Sequence, residues 1–265
     1  MRIRLLAVLV AALLSQLAAA PAQAAAPPQL LAMTFNVCGN VCRHGEVSTT
    51  AANVAYQARA HGASVVMLQE LCYSQFVGVR ARQARYGYSG IFAAQTRGGH
   101  CDDHDHKHGK GFGLGLFARG KLTGAVARRL PMPSPIRPEP RIALGATVRL
   151  AGRSVFVVTS HTSPSGPNLI AQMKALTSWL TPIAARRAVL FGGDLNSMPD
   201  NPDLDGLYTS FTEADGDRTN PRPTFRTVPR KIDYLFGSVG HLSRVGAGTS
   251  CGRYSDHCAY FGRFR

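Results

Sequence analysis

Apolar residues fall in short runs along this chain, and run after run closes on a polar side chain. Leu30–Asn36 ends on an amide, and residues 64–70 end on Gln69-Glu70. Val155-Phe156-Val157-Val158 leads through Thr159-Ser160 to His161. Ala188-Val189-Leu190-Phe191 is followed by Gly192-Gly193, then Asp194, Asn196 and Pro199. Runs of this length without turn residues predict buried strands. The paired glycines predict that the last strand stops and turns there. Asp and Asn favour turns in their own right, so any one such end has a plain explanation. Their repetition is harder to explain that way. Parallel neighbours in an α/β sheet would bring these tips together in one pocket.

Between the strands the pattern predicts helices over 48–61, capped by Ser48 or Thr49 and stopped by Gly62, over 73–85 with a basic outer face, and over 168–180. A short helix is expected over 203–208. Further strands are expected over 88–94, 112–118, 121–130, 141–150, 231–236 and 258–264, with 141–160 forming a strand–turn–strand hairpin and 258–264 lying next to the strand of Asp233. Residues 131–140 contain five prolines and predict an irregular surface loop. The run 100–110, His-Cys-Asp-Asp-His-Asp-His-Lys-His-Gly-Lys, has a composition that binds transition metals. A solvated loop pinned by Cys101 is the preferred reading, with substrate contact as the alternative. No repeat and no long linker divides the chain.

The first residues change the compartment. Arg2 and Arg4 precede an apolar stretch over 5–14, and Ala22-Gln23-Ala24 is a small-x-small cleavage pattern. Residues 1–24 therefore read as a secretory signal, 25–265 as one catalytic domain, and the product as secreted, extracellular and monomeric. The apolar stretch is too short to span a bilayer, and no second one exists. Six cysteines behind such a leader read as disulfides. Spacing suggests Cys38–Cys42 and Cys251–Cys258, leaving Cys72–Cys101. No Cys-x-x-Cys pair supports zinc. Net charge is +15, or +13 without Arg2 and Arg4, which points to an anionic partner: nucleic acid, anionic lipid or a phosphorylated small molecule.

Residue chemistry narrows the function. Glu70, Asp194 and Asp256 with the amides of Asn36 and Asn196 form an oxygen-rich set, suited to Mg²⁺, Mn²⁺ or Ca²⁺ rather than zinc. His161 and His257 are placed to donate to a phosphoryl oxygen or move a proton, and Asp233 is the carboxylate to orient a histidine. This is a layout for metal-assisted hydrolysis of a phosphate ester.

The order Asn36, Gln69-Glu70, His161, Gly193-Asp194-Leu195-Asn196, Ile232-Asp233-Tyr234 and Ser255-Asp256-His257 resembles the endonuclease/exonuclease/phosphatase superfamily. Deoxyribonuclease I, abasic-site endonucleases, neutral sphingomyelinases and inositol-polyphosphate 5-phosphatases belong to it. The resemblance implies a four-layer α/β sandwich, two packed mixed β-sheets flanked by helices. It implies Glu70 as principal metal ligand, with Asn36 beside it and Asp256 in or near the metal site. Asp194 and Asn196 would position or activate water, His161 would contact the scissile phosphate, and Asp233 would pair with His257. Arg141 and Asn196 would also contact substrate phosphate. Two features depart from the nucleases. Gly111 and Phe112 stand where a phosphate-contacting Tyr is often found, and the strand 113–118 lacks the Glu that pairs with this histidine in deoxyribonuclease I.

The leading expectation is a secreted phosphodiesterase hydrolysing nucleic acid with Mg²⁺ or Mn²⁺, Ca²⁺ being the alternative cation. The alternatives are a sphingomyelinase-type phospholipase or a phosphomonoesterase of the same superfamily, and a non-catalytic nucleic-acid or anion-binding protein on this fold.

Overall fold

In a computed structural model, residues 28–101, 111–136, 139–216 and 218–265 are described. The expected leader and residues 102–110 of the His-rich run lie outside the described residues. Among the described residues, twelve strands and four helices follow one another as β1 Leu30–Asn36, α1 Ser48–Ala60, β2 Val65–Cys72, α2 Tyr73–Ala84, β3 Tyr88–Thr96, β4 Phe112–Arg119, β5 Thr123–Arg129, β6 Ile142–Leu150, β7 Arg153–His161, α3 Gly166–Ala184, β8 Val189–Asp194, α4 Asp205–Ser210, β9 Phe211–Glu213, β10 Asp233–Ser238, β11 Arg244–Ser250 and β12 Ala259–Phe264. A 3₁₀ turn over Pro202–Leu204 leads into α4.

The strands form two mixed sheets in the orders β11-β12-β1-β2-β4-β3 and β5-β6-β7-β8-β10-β9. Strand alternation builds the layers. Leu30 and Ala32 of β1, Val65 and Met67 of β2, Val155 and Val157 of β7 and Leu190 of β8 point between the sheets into one shared core. Their neighbours point outward. Met33, Phe35, Val66 and Leu68 meet α1 and α2 through Val54, Ala58, Phe76 and Val79. Val189 and Phe191 meet Leu169, Met173, Leu176 and Leu180 of α3. Helix, sheet, sheet and helix thus make the four-layer α/β sandwich. Within the central core, Gln69 Nε2 donates to Thr159 Oγ1 at 2.9 Å, and Thr34 also bonds this side chain, joining the sheets through a satisfied polar contact.

The elements differ from expectation in five places. Glu46, not Ser48 or Thr49, caps α1, its carboxylate accepting from the backbone N–H of Thr49 at 2.9 Å and of Thr50 at 3.3 Å. β8 does not stop at the glycines but runs through both. A Cβ on Gly192 would lie 2.7 Å from Leu235 Cδ2, and one on Gly193 would lie 1.9 Å from the Ser160 carbonyl, so close strand packing explains both. α3 extends to Ala184, four residues past the expected end, with Pro182 inside it. Strands β9 and β11 were not expected. Finally, β12 does not lie beside β10, since the two belong to different sheets.

Candidate active site

Register puts three polar side chains in one row. β7 and β8 are parallel with His161 opposite Asp194, and β10 is antiparallel to β8 with Asp233 opposite Asp194. The facing sheet supplies the rest. β1 and β2 are parallel with Asn36 opposite Gln69, and Glu70 follows. Strand tips therefore do converge, but from both sheets, and Asp233 arrives at the start of an antiparallel strand.

Glu70 is not a strand tip. It sits in a β-bulge, where the pairing of β2 with β4 shifts between Leu68 and Leu71, and has φ of 54°. Bulges re-aim a side chain, and a non-glycine residue in left-handed backbone stores strain of the sort found at functional sites. Asn196, at φ 48°, is a second such residue.

Asp194 is the focus. Its carboxylate, 1% exposed, accepts from Asn36 Nδ2 at 3.0 Å, and the same Nδ2 donates to Glu70 Oε1 at 2.9 Å. One amide thus ties the two carboxylates together, while its oxygen is fixed by the Cys38 backbone N–H at 3.0 Å. Two imidazoles close on Asp194 Oδ2, with Nε2 of His161 at 3.4 Å and Nε2 of His257 at 3.6 Å. The Asn196 backbone N–H donates to Asp194 Oδ1 at 3.0 Å, and the Asn196 amide nitrogen donates to the Thr162 carbonyl at 3.0 Å.

The histidines have opposite charge states because their Nδ1 partners differ. His257, on the loop before β12, places Nδ1 2.8 Å from Asp233 Oδ2. Burial lowers its pKa, but Asp233 and Asp194 together outweigh burial and lift it to about 10. It is therefore an imidazolium. His161 Nδ1 lies 2.7 Å from Arg141 Nη1. A guanidinium only donates, so this nitrogen accepts and Nε2 carries the proton. Burial, then the charges of Arg141 and His257, hold His161 well below its usual pKa. Arg141 is buried and its Nη2 is 3.0 Å from Glu139 Oε2. The carboxylate not found in 113–118 is thus supplied from the proline-rich loop, one residue removed. Sequence reasoning missed Glu139 because proline content hid it. Phe112 packs with Cys72 and Cys101 and reaches nothing in the site.

Asp233 is held by Thr224, whose hydroxyl accepts from the backbone N–H groups of Ile232 and Asp233 at 3.1 Å and 3.0 Å. Lys231 Nζ donates to the Asp233 carbonyl at 3.2 Å but pairs with Glu213, at 3.3 Å. Ser255, named in the sequence only as part of the motif Ser255-Asp256-His257, has a role of its own. Its hydroxyl donates to the Asn36 carbonyl at 2.8 Å and accepts from the His257 N–H at 3.0 Å, clasping the last loop onto β1. Asp256 lies beside it, with Oδ1 3.2 Å from Ser255 Oγ. All three expected disulfides, Cys38–Cys42, Cys72–Cys101 and Cys251–Cys258, are formed, and the third brackets Ser255, Asp256 and His257. Cys38 and Cys42 approach Asp256, but bonded sulfurs offer no thiolate to a metal.

The donor set suits a hard divalent cation. Glu70 and Asp256 offer hard carboxylate oxygens, and Asn36, whose oxygen accepts from the Cys38 N–H, turns its amide nitrogen to Glu70. Burial raises the pKa of Glu70 and Asp256 adds to it, despite the opposing Asn36 hydrogen bond. Carboxylates that resist ionising together are what a cation stabilises. Asp194, Asp233 and His257 also cluster, but an imidazolium already bonded to Asp233 makes that group a hydrogen-bonded chain rather than a ligand set.

Residues 33–257 match the Endonuclease/Exonuclease/phosphatase family. The chain belongs to that family. No curated protein matches it in sequence. Among solved structures, the human Nocturnin catalytic domain with bound sulfate is similar over 90% of this chain and 93% of its own, with TM-score 0.72 and 20% identity. Truncated TDP2 from Caenorhabditis elegans is similar over 89% and 97%, with TM-score 0.69 and 17% identity. ANGEL2, a 2′,3′-cyclic phosphatase solved with adenosine-2′,3′-vanadate, is similar over 89% and 95%, with TM-score 0.66 and 12% identity. These identities carry the family's fold alone. Family members are phosphoester hydrolases and generally use a divalent metal. Among the described residues, no helix is long and apolar enough to cross a membrane.

Proposed function

We propose that this chain is a secreted, divalent-metal-dependent phosphodiesterase that hydrolyses nucleic acid, with residues 25–265 as one catalytic domain. The observation that carries the hydrolytic reading is the meeting of both imidazoles on Asp194, which Asn36 ties to Glu70 at 2.9 Å and 3.0 Å. Basic charge of +15 supports an anionic polymer as substrate. The three disulfides support export.

Glu70 would hold Mg²⁺ or Mn²⁺, with Asn36 and Asp256 beside it. When bound, the cation polarises phosphoryl oxygens and neutralises their charge. The other steps belong to the protein. Burial, partly opposed by His257, raises the pKa of Asp194, which favours taking a proton from water. Asn196 helps place that water. His161 is neutral, keeps its proton on Nε2 and donates to the scissile phosphate. His257, held charged by Asp233, stabilises the negative charge that builds up. Arg141 is engaged by His161 and Glu139, so it serves the phosphate by orienting His161 rather than by contact.

The test is a panel of plasmid DNA, RNA, sphingomyelin and an inositol polyphosphate with Mg²⁺ or Mn²⁺. Cleavage of DNA or RNA alone is expected. Turnover of only the lipid or the inositol phosphate would move the substrate to another branch of the family, and no turnover would favour a binding protein.

A further inference from the structure

The loop that delivers Asp256 and His257 carries an exposed aromatic residue. Tyr254 is 40% exposed, against 5% for Ser255 and 5% for His257. Tyr254 would gain by burial, and nothing in the core takes it. Arg43 lies over its ring at 5.7 Å. Arg43 follows the Cys38–Cys42 bridge just beyond β1, so it too comes from the site end of the sheet. On the other side, Phe225 meets His257 edge-on at 4.9 Å, and Arg230 lies over Phe225 at 5.0 Å. Rings and guanidinium groups therefore alternate around the mouth of the site.

Of the rim arginines, Arg43 pairs with Glu46 at 3.9 Å. Among the described residues, Arg226, Arg230 and Arg253 have no carboxylate partner. Arg226 instead donates to the carbonyls of Gly252 and Ser255, and its backbone N–H donates to the Asp256 carbonyl at 2.9 Å. It stiffens the loop, as does the Cys251–Cys258 bridge. A ring held on a doubly braced loop is preorganised, and so loses little freedom when it takes a ligand.

We propose that Tyr254, backed by Arg43, stacks an unpaired nucleobase of the substrate beside the scissile phosphate, while Arg230 and Arg253 hold flanking phosphates. This inference rests on the nuclease reading and deepens it: the substrate is single-stranded where it meets the rim. Successive bases on aromatic faces in a basic groove are the general mode for single strands. A paired base in a duplex has no free face for the ring.

Fluorescence anisotropy tests it directly, with a labelled single-stranded oligonucleotide in chelator so that nothing is cleaved. Tyr254→Ala should weaken binding roughly fivefold to a hundredfold, the range seen when a stacking aromatic is removed. Tyr254→Phe should restore it. Arg253→Ala should flatten the log–log salt dependence by about 0.7, the value for one lost phosphate contact on a single strand. An oligonucleotide of abasic spacers keeps folding of the variants out of the question. The unaltered protein should bind it as weakly as Tyr254→Ala binds the normal strand. Equal affinity for normal and abasic strands, or for unaltered protein and Tyr254→Ala, overturns the proposal. Cleavage with Mg²⁺ is a separate arm: tight, base-dependent binding without cleavage would leave the rim standing and remove the nuclease reading, and cleavage with base-independent binding would do the reverse.

Discussion

Asp233, at the start of β10, and His257, on the loop before β12, lie with Oδ2 and Nδ1 2.8 Å apart and both side chains buried. The pairing offsets part of the cost of burying both, although Asp233 Oδ1 is left without a hydrogen-bond partner. The pair is also the link by which β10 and the last loop are brought into one site. Replacing either residue should lower turnover by about a hundredfold to ten-thousandfold with a smaller change in KM, the usual scale for a positioned proton donor. If they act as one unit, Asp233→Asn with His257→Ala should be little worse than either alone. Purified single and double variants at saturating metal decide this, and losses that add in free energy would mean independent roles.

The same pair should be visible in stability. His257 titrates at about 10 when folded, against 6.5 as the ordinary value. A raised folded pKa gives stability that is fully present below pH 6.5 and lost as pH rises towards 10. In chelator, the unfolding midpoint of the unaltered protein should therefore fall across that window. The fall should be shallower in His257→Gln, and equal slopes in the two proteins would refute the assignment.

Arg141 is a positioning residue for His161. Its guanidinium fixes the proton on Nε2 by donating to Nδ1 at 2.7 Å. Arg141→Met should cost about a hundredfold in kcat, the scale of a misplaced reacting group. ¹⁵N NMR supplies a readout that simple loss of packing would not move. His161 should change from a single Nε2–H tautomer to a mixture in the variant, and an unchanged tautomer would contradict the role.

Behind Asp233 lies a charged pair that takes no part in the chemistry. Lys231 and Glu213 are 0% and 1% exposed and 3.3 Å apart, and Glu213 also accepts from Tyr260 at 2.9 Å. Burial lowers the pKa of Lys231, and Glu213 opposes this. Lys231→Met leaves Glu213 charged and buried, so it should destabilise by about 3–5 kcal/mol. Adding Glu213→Leu should recover most of that loss. Urea denaturation measures both, and a double variant as unstable as the single one would show that the Tyr260 and backbone bonds to Glu213 matter more than the pair.

Much of this site is legible in the sequence, and the parts that are not share a cause. Leu30–Asn36 and the tip at His161 announce themselves because an apolar run ends there on a polar side chain, although both ends are buried. Glu70 reads as a tip too, but a bulge adds no residue type that a pattern could reveal. Gly192 and Gly193 read as a stop because their closeness to Leu235 and Ser160 is a tertiary fact. β11, Arg-Val-Gly-Ala-Gly-Thr-Ser, has little apolar content because it is a sheet edge, so periodicity passes over it. Glu139 and Ser255 act on residues distant in sequence, or through one intermediary, which spacing does not encode. The expected contact of Asp233 with His257 is present, but His257 reaches β10 from the loop before β12, a strand of the other sheet, rather than from a neighbouring strand.

The account depends above all on a cation held at Glu70. The direct measurement is the rate of phosphodiester cleavage as free Mg²⁺ is titrated from excess chelator upward, in the unaltered protein and in Glu70→Gln. That substitution keeps the side chain's shape and removes its charge. The unaltered protein should be inactive in chelator and recover fully on adding Mg²⁺. Glu70→Gln should need far more Mg²⁺ for half-maximal rate and reach a lower plateau. Full activity of the unaltered protein in excess chelator, or a Glu70→Gln titration that overlays it, would contradict the mechanism.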